Sequence, residues 1–169
     1  RHLKKFWLEL GGSDPLIVLE DADLDHAANI ATVSRCFNNG QACINAKRAI
    51  VHEKVYDQFK EKLIEKFSNQ KVGDPTLENT TIGPIARQDL LENLHSQISK
   101  GTQEGASLAF GDIEDVKNGI NLEKGLYFQP KIIENISKDN ILYREELFGP
   151  AICLYKYSDY DEAIALGNL

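Results

Sequence analysis

The chain has 169 residues, of which 42% are hydrophobic and 27% are charged, and its formal net charge is −7. These values fit one globular domain of ordinary composition with a sizeable core. The acidic balance argues against nucleic acid or an anionic membrane as the main partner. The apolar runs are far too short to span a bilayer.

Cysteine and histidine usage excludes two further classes. There are three cysteines, Cys36, Cys43 and Cys153, with no CxxC spacing. An odd count of this kind favours neither a disulfide framework nor a zinc site, and it predicts a reducing compartment such as the cytoplasm. The four histidines are scattered, so no metal site is expected. The chain has no methionine and no recognisable signal peptide, so we expect it to be a piece of a longer protein.

The first predicted elements alternate between strands and helices. Residues 5–10 are aromatic and apolar, which predicts a strand, and Gly11 and Gly12 break it. Residues 16–19 predict a second strand. A helix starting at Leu24 should end near residues 38–40, because Asn and Gly tolerate the left-handed conformation found at helix ends.

The middle of the chain predicts two long amphipathic helices. Residues 49–52 form a short strand candidate. Apolar residues then recur every four positions over residues 54–69, which predicts a helix with one buried face. A loop over residues 72–84 separates it from a second such helix over residues 87–104.

The last third of the chain returns to strands. Residues 107–110 and 151–155 predict strands, and residues 111–125 a polar loop. Residues 127–136 predict an extended segment at a sheet edge, because Pro130 cannot donate to a ladder. A helix begins near Tyr160. The alternation of strands and helices indicates an α/β architecture.

Cys43 is the first candidate catalytic residue. It closes the stretch Phe-Asn-Asn-Gly-Gln-Ala-Cys over residues 37–43, which follows the first helix. A cysteine among polar loop residues differs from a structural cysteine, which packs among apolar neighbours. Amide and backbone donors around one sulfur would suit a thiolate nucleophile or an oxyanion. Cys36 falls inside the helix and is expected in the core.

Three motifs in order carry a family resemblance. They are Leu-Glu-Leu-Gly-Gly at residues 8–12, the Cys43 stretch, and Glu-Glu-Leu-Phe-Gly-Pro at residues 145–150. Together with Gly-Pro-Ile-Ala at residues 83–86, they resemble the aldehyde dehydrogenase superfamily over essentially the whole chain. The resemblance implies a three-layer α/β catalytic domain over residues 1–169, without the family's nucleotide-binding domain.

The resemblance also implies roles. Cys43 would attack the aldehyde carbon as a thiolate, giving a thiohemiacetal and then a thioester, and its backbone N–H would help to hold the oxyanion. Glu9 would be the general base that activates water to release the acid. The cofactor would be NAD or NADP, with its nicotinamide ribose held by Glu146 and its ring beside Phe148.

Further expectations follow from the same resemblance. Leu10 and Gly11 would line the nicotinamide end of the site. Most of the cofactor site, and an asparagine that completes the oxyanion hole, would lie outside this chain. We therefore expect the isolated chain to fold but to have little dehydrogenase activity. The parent protein would act on a small-molecule aldehyde as a homo-oligomer, without nucleic acid or membrane partners.

The substrate is predicted by a narrower resemblance. Ser-Asp-Pro at residues 13–15 and Asp-Ala-Asp-Leu at residues 21–24 look like one bacterial group of succinate-semialdehyde dehydrogenases. In another such group an arginine, six residues before the nucleophile, binds the substrate carboxylate. Phe37 occupies that position here, and Arg35 on a helix should point elsewhere.

Three alternatives stay open. The substrate could be another aliphatic or aromatic aldehyde, because Phe37 offers an apolar wall. The acyl group could pass to CoA rather than to water, although retention of Glu9 favours water. In a different class, the chain could be a structural or binding member of the family without catalysis, which the presence of both Glu9 and Cys43 argues against.

Overall fold

The computed structural model describes residues 2–112 and 125–168. Its elements alternate along the chain as the sequence predicts. The strands and helices are, in order, β1 (Asp14–Val18), α1 (Leu24–Cys36), β2 (Ala46–His52), α2 (Tyr56–Ser68), α3 (Gln88–Gln103), β3 (Ser107–Phe110), β4 (Lys131–Glu134), β5 (Ala151–Tyr157) and α4 (Tyr160–Gly167).

The five strands form one mixed sheet in the order β1-β2-β5-β4-β3. The first four in this order are parallel to their neighbours, whereas β3 runs antiparallel to β4. Strand β2 pairs with β5 over five positions, from Arg48 opposite Cys153 to His52 opposite Tyr157. The segments that precede β2 and β5 along the chain, which carry two of the three sequence motifs, are therefore brought together at one end of the sheet.

Two apolar clusters cover the two faces of the sheet. Along β2, Ala49 and Val51 pack with the apolar faces of α1 and α2, whereas Ile50 packs with residues of α3 and α4 on the opposite face. Side chains alternate between the faces of a strand, so a continuous apolar run serves a strand that is covered on both sides. The result is the three-layer α/β arrangement implied by the family resemblance.

The helix that leads to the candidate nucleophile has defined ends. The Asp23 carboxylate accepts a hydrogen bond of 3.1 Å from the His26 N–H and so caps α1. The helix ends at Cys36, and the next turn contains Asn38 and Asn39 with φ of 51° and 57°. The predicted helix end with left-handed residues is confirmed.

The strand predicted over residues 5–10 is wrong. This segment has no secondary structure, and its large apolar side chains are exposed. A strand needs a neighbouring strand to pair its N–H and C=O groups, and within residues 2–112 and 125–168 no strand pairs with this segment. Its aromatic and apolar composition therefore does not lead to strand formation here.

The edge position predicted for residues 127–136 is also wrong. Strand β4 lies between β5 and β3, inside the sheet. Pro130 precedes the first strand residue, and the Lys131 N–H donates to the Pro150 carbonyl at 3.0 Å, so the ladder needs no donor from proline. Residues 113–124, most of the predicted loop at 111–125, lie outside the described residues.

The described residues contain neither a membrane-spanning helix nor a metal-binding cluster. No helix within residues 2–112 and 125–168 has the length and apolar character needed to cross a bilayer. The same residues contain no group of three or more His, Cys, Asp or Glu side chains placed to bind a metal ion.

Candidate active site

All six candidate site residues line one cleft. The cleft has a volume of about 550 Å³ and lies where the segment before β1, the loop before β2 and the turn before β5 meet. Its lining contains, besides Gln41, Ala42 and Ile44, the six predicted residues Glu9, Leu10, Gly11, Cys43, Glu146 and Phe148. The fold therefore brings together three motifs that are far apart in the sequence.

The loop before β2 touches the turn before β5 backbone to backbone. Gly40 has φ of +75° and is buried. A Cβ atom added to Gly40 would overlap the carbonyl of Gly149 and the nitrogen of Pro150. Only glycine combines this backbone conformation with so close an approach. The shape of the nucleophile loop therefore depends directly on the position of the 145–150 turn.

The side-chain amides of the nucleophile loop bind a neighbouring loop. The Asn39 side chain accepts from the Gly83 N–H at 2.8 Å and donates to the Pro84 carbonyl at 3.1 Å. The Gln41 side chain accepts from the Ala86 N–H at 2.8 Å. Both ends of the Asn39 amide are therefore used to attach residues 83–86 to the loop and do not serve the sulfur, whereas Gln41 also lines the cleft beside Cys43.

Arg35 ties the nucleophile loop to the 145–150 turn. It is fully buried on α1, and its guanidinium donates to the carbonyls of Gly40, Leu147 and Gly149. Burial lowers the pKa of Arg35 to about 10, so it remains charged at neutral pH. Arg35 does not line the Cys43 cleft as the described residues form it, in agreement with the prediction that it points elsewhere. The sequence did not reveal its carbonyl partners, which belong to the backbone.

Lys47 makes a second tie between the same two segments. Its ammonium group donates to the carbonyl of Cys43 at 2.7 Å and to that of Ala42 at 3.2 Å. It also lies 3.0 Å from the Glu146 carboxylate, and the Lys47 side chain is only 2% exposed. Sequence analysis missed Lys47, because its place within the strand run of β2 gave no sign of its partners.

The segment that carries Glu9 is held less firmly. Glu9 and Leu10 are exposed, and residues 2–13 contain no strand or helix. The segment nevertheless passes close to the 145–150 turn, because a Cβ atom on Gly11 would overlap one oxygen of the Glu146 carboxylate. The backbone at Gly11 and this carboxylate therefore share one corner of the cleft.

The three cysteines have different surroundings. Cys36 and Cys153 are buried, and burial raises the pKa of both thiols to about 12. Cys43 is half-buried and faces the cleft. The prediction that Cys36 belongs to the core is confirmed.

Phe37 lies apart from the cleft. Its side chain is 63% exposed and borders a separate pocket of about 320 Å³ beside α1 and α2. The lining of the Cys43 cleft, as far as the described residues form it, contains neither Phe37 nor any lysine or arginine. The aromatic wall predicted from Phe37 is therefore not part of this cleft.

Comparison with known proteins identifies the family. Residues 1–169 match the aldehyde dehydrogenase family along the entire chain. The chain belongs to this family. Among the relatives of this aldehyde dehydrogenase family member is a succinate-semialdehyde dehydrogenase [NADP(+)] of Mycobacterium avium, 42% identical over 168 residues. That match covers 99% of the chain and 34% of the relative, so the chain spans about a third of the length of the curated relatives it matches.

Solved structures of other aldehyde dehydrogenases share the fold. A succinate-semialdehyde dehydrogenase from Burkholderia pseudomallei is 36% identical with a TM-score of 0.86, and the match covers 95% of this chain and 32% of that one. Aldehyde dehydrogenase C from Pseudomonas syringae, in a mutant form complexed with NAD+ and octanal, is 34% identical with a TM-score of 0.87 and the same coverage. These matches confirm the three-layer α/β fold class for this family member.

Proposed function

We propose that residues 1–169 are the catalytic domain of an NAD- or NADP-dependent aldehyde dehydrogenase that converts an aldehyde to its carboxylic acid. The observation that supports this proposal is the single cleft lined by Cys43, Glu9, Glu146 and Phe148. A nucleophile, a carboxylate base and two cofactor contacts meet there, although they come from three separate parts of the chain.

Cys43 is the proposed nucleophile. As a thiolate it attacks the aldehyde carbon and forms a thiohemiacetal, while the carbonyl oxygen becomes an oxyanion that the Cys43 N–H can stabilise. Loss of hydride from this carbon leaves a thioester on the sulfur. Cys43 suits this role better than Cys36 or Cys153, because those two thiols are buried and their raised pKa keeps them protonated.

Glu9 is the proposed general base. It takes a proton from a water molecule, which attacks the thioester and releases the carboxylic acid with recovery of the Cys43 thiolate. Its exposed position at the cleft gives water direct access to the carboxylate. Water rather than CoA is therefore the proposed acyl acceptor.

The residues present fit a nicotinamide cofactor. Glu146 offers a carboxylate at the cleft, and Phe148 offers an aromatic ring beside it. The backbone of Gly11 approaches that carboxylate so closely that an added Cβ atom would overlap one of its oxygens. Glu146 would hold the ribose, Phe148 would pack near the ring, and Leu10 and Gly11 would line the nicotinamide end. When bound, NAD or NADP supplies the hydride acceptor.

Succinate semialdehyde is the proposed substrate, since relatives at 40–42% identity carry this name. A longer aliphatic aldehyde is the second candidate, because no cation lines the described part of the cleft and because the Pseudomonas syringae relative was complexed with octanal. Steady-state kinetics of the full-length protein on both aldehydes decides between them. A kcat/KM for octanal above that for succinate semialdehyde would reverse the assignment.

The isolated 169-residue chain is proposed to have little activity. It matches only about a third of its relatives' length, and in the described residues the cleft receives cofactor contacts from two short segments only. Reduction of NAD or NADP with an aldehyde, measured for the isolated chain and the full-length protein side by side, tests this. Equal turnover would overturn the proposal. The cytoplasmic location and the homo-oligomeric assembly stay predictions.

A further inference from the structure

The Lys47 ammonium group has two hydrogen-bond acceptors and one ion-pair partner. The ammonium donates to the Ala42 and Cys43 carbonyls, and the Glu146 carboxylate lies 3.0 Å from it as an ion-pair partner, outside hydrogen-bond geometry. The side chain is buried, so water does not compete for these donors. A buried cation with these contacts restricts the relative positions of its three partners.

One of these acceptors belongs to the peptide group that carries the Cys43 N–H. The carbonyl of Ala42 and the N–H of Cys43 are the two ends of one peptide bond, and Lys47 donates to the carbonyl end. Donation to a carbonyl polarises the peptide and makes its N–H a stronger donor. A cation has a larger effect than a neutral donor, because charge-assisted hydrogen bonds are about twice as strong.

The Cys43 N–H is available for such a role. Within the described residues it has no hydrogen-bond acceptor, although the neighbouring Gln41 and Asn45 N–H groups bond to the carbonyls of Asn38 and Ala42. Cys43 itself is one of the residues that line the cleft. An unused backbone donor beside a nucleophilic sulfur is placed to stabilise a developing oxyanion.

The ion-pair partner of Lys47, Glu146, links this peptide to the proposed cofactor contact. Lys47 approaches one oxygen of the Glu146 carboxylate at 3.0 Å. The other oxygen faces the backbone of Gly11 at the cleft. The ion pair therefore fixes the carboxylate while it leaves one oxygen for a ligand.

We propose that Lys47 is a positioning residue that strengthens the Cys43 N–H as an oxyanion donor and aligns the Glu146 carboxylate with it. This inference rests on the proposed function for the identity of the reacting groups. Lys47 touches neither substrate nor cofactor, and it acts through the Ala42–Cys43 peptide and through Glu146.

Two reactions of Cys43 separate oxyanion stabilisation from thiol reactivity. With p-nitrophenyl acetate, the thiolate attacks the ester carbonyl through an oxyanion, and the C–O bond to p-nitrophenolate then breaks to leave an acetyl thioester. With iodoacetamide, the thiolate displaces iodide directly and no oxyanion forms. Neither reaction needs a cofactor. The ratio of the acylation rate to the alkylation rate therefore measures the oxyanion donor alone.

The test compares Lys47→Met with the full-length wild-type protein. We expect the ratio to fall about tenfold, less than the 100- to 1,000-fold loss known for complete removal of an oxyanion donor. We also expect the KM for NAD or NADP to rise. Lys60→Met is the matched control. Lys60 forms an ion pair of 3.1 Å with Glu134, and neither residue lines the cleft, so this substitution should leave the ratio unchanged. A wild-type ratio in Lys47→Met would overturn the inference.

A second variant keeps the test valid if Lys47→Met does not fold, as judged by circular dichroism. Lys47→Gln retains N–H donors without the charge, and we expect a smaller fall in the ratio. A wild-type ratio in this folded variant would equally overturn the inference. If the wild-type protein fails to oxidise aldehydes but the ratio still falls, the proposed function is wrong and the role of Lys47 at the oxyanion donor stands.

Discussion

The two sides of the cleft are built in different ways. On one side, the nucleophile loop and the 145–150 turn are joined by two buried cations, Arg35 and Lys47, and by the backbone contact of Gly40 with Gly149. On the other side, residues 2–13 carry Glu9 on an exposed segment without secondary structure. The nucleophile loop is thus held by buried hydrogen bonds, an ion pair and close backbone packing, whereas the base lies on an exposed, irregular segment.

This difference separates stability from catalysis within one site. Groups that are buried and bonded contribute to both, because their removal leaves unpaired polar atoms or forces backbone apart. An exposed side chain on an irregular segment contributes little to stability. Substitutions on the two sides of the cleft should therefore have distinguishable effects.

The largest expected effect concerns Cys36 and Cys153, the two buried thiols next to the nucleophile loop and the 145–150 turn. These two segments are called the fixed side of the cleft. A pKa of about 12 for Cys36, in place of an ordinary 9.0, lowers its thiolate fraction at pH 8 about a thousandfold. We expect iodoacetamide to label Cys43 in the folded chain and to label Cys36 and Cys153 only after unfolding in urea, as measured by mass spectrometry. Labelling of Cys36 as fast as Cys43 in the folded chain would contradict a rigid fixed side.

The same thiols predict a pH dependence of stability. The pKa of Cys36 and of Cys153 is raised on folding, so the unfolded chain loses these protons first as pH rises. Their stabilising contribution is complete below about pH 9 and is lost as pH rises toward 12. The free energy of unfolding, measured in urea, should fall less above pH 9 in Cys153→Ala than in the wild-type chain. The cost of the cavity, measured for the variant at pH 7, is subtracted first. An unchanged decline would exclude this thiol as a cause.

Gly40→Ala should disrupt the contact between the nucleophile loop and the 145–150 turn. The new Cβ would overlap the backbone of Gly149 in a conformation that disfavours side chains, and we expect a loss of about 4 kcal/mol in the free energy of unfolding. Gly105→Ala is the matched control, because Gly105 also has positive φ but nothing lies within 4 Å of an added Cβ. Its cost should be about 1–2 kcal/mol. Equal losses in urea unfolding would refute the backbone contact.

Glu9→Gln should affect catalysis alone. In the full-length protein, removal of the base should lower kcat for acid formation about 100-fold, with a burst of reduced cofactor in the first turnover. The free energy of unfolding should change by less than about 0.5 kcal/mol, because the side chain is exposed. Glu61→Gln, at an exposed position of α2, serves as the control. An unchanged kcat would remove Glu9 from the mechanism.

The smallest effect is expected for Trp7→Ala. Trp7 is the only tryptophan of the chain and is 86% exposed on the loosely held side. Its removal should change the free energy of unfolding of the 169-residue chain by less than about 0.5 kcal/mol. Phe67→Ala, at a buried position of α2, should cost about 3–5 kcal/mol. Comparable losses for the two variants would show that residues 2–13 are packed.

Local sequence rules predicted much of the fold. The four-residue spacing of Val55, Phe59, Leu63 and Phe67 placed α2 to within two residues, because helical periodicity is a property of the chain itself. The left-handed turn after α1 followed from the preferences of Asn and Gly. The six site residues came from motif resemblance, and the structure places all six at one cleft.

What the sequence did not predict depends on distant partners. Arg35 bonds to carbonyls more than a hundred residues away, and carbonyls exist at every position, so no residue type marks them. The amides of Asn39 and Gln41 likewise bind backbone groups of another loop. Residues 5–10 have a strand's composition, but pairing is decided by what lies beside them.

The contacts that join Gly40 and Arg35 to Gly149 have a consequence for the order of folding. Arg35 and Gly149 are separated by 114 positions in a chain of 169 residues, so their contact closes about two thirds of the chain. Closure over long separations is slow compared with helix formation. Helix α1 and the Asp23 cap can form while the protein is still being synthesised, but the nucleophile loop must wait until residue 150 has emerged from the ribosome. Cys43 should thus acquire its native surroundings among the last parts of the chain.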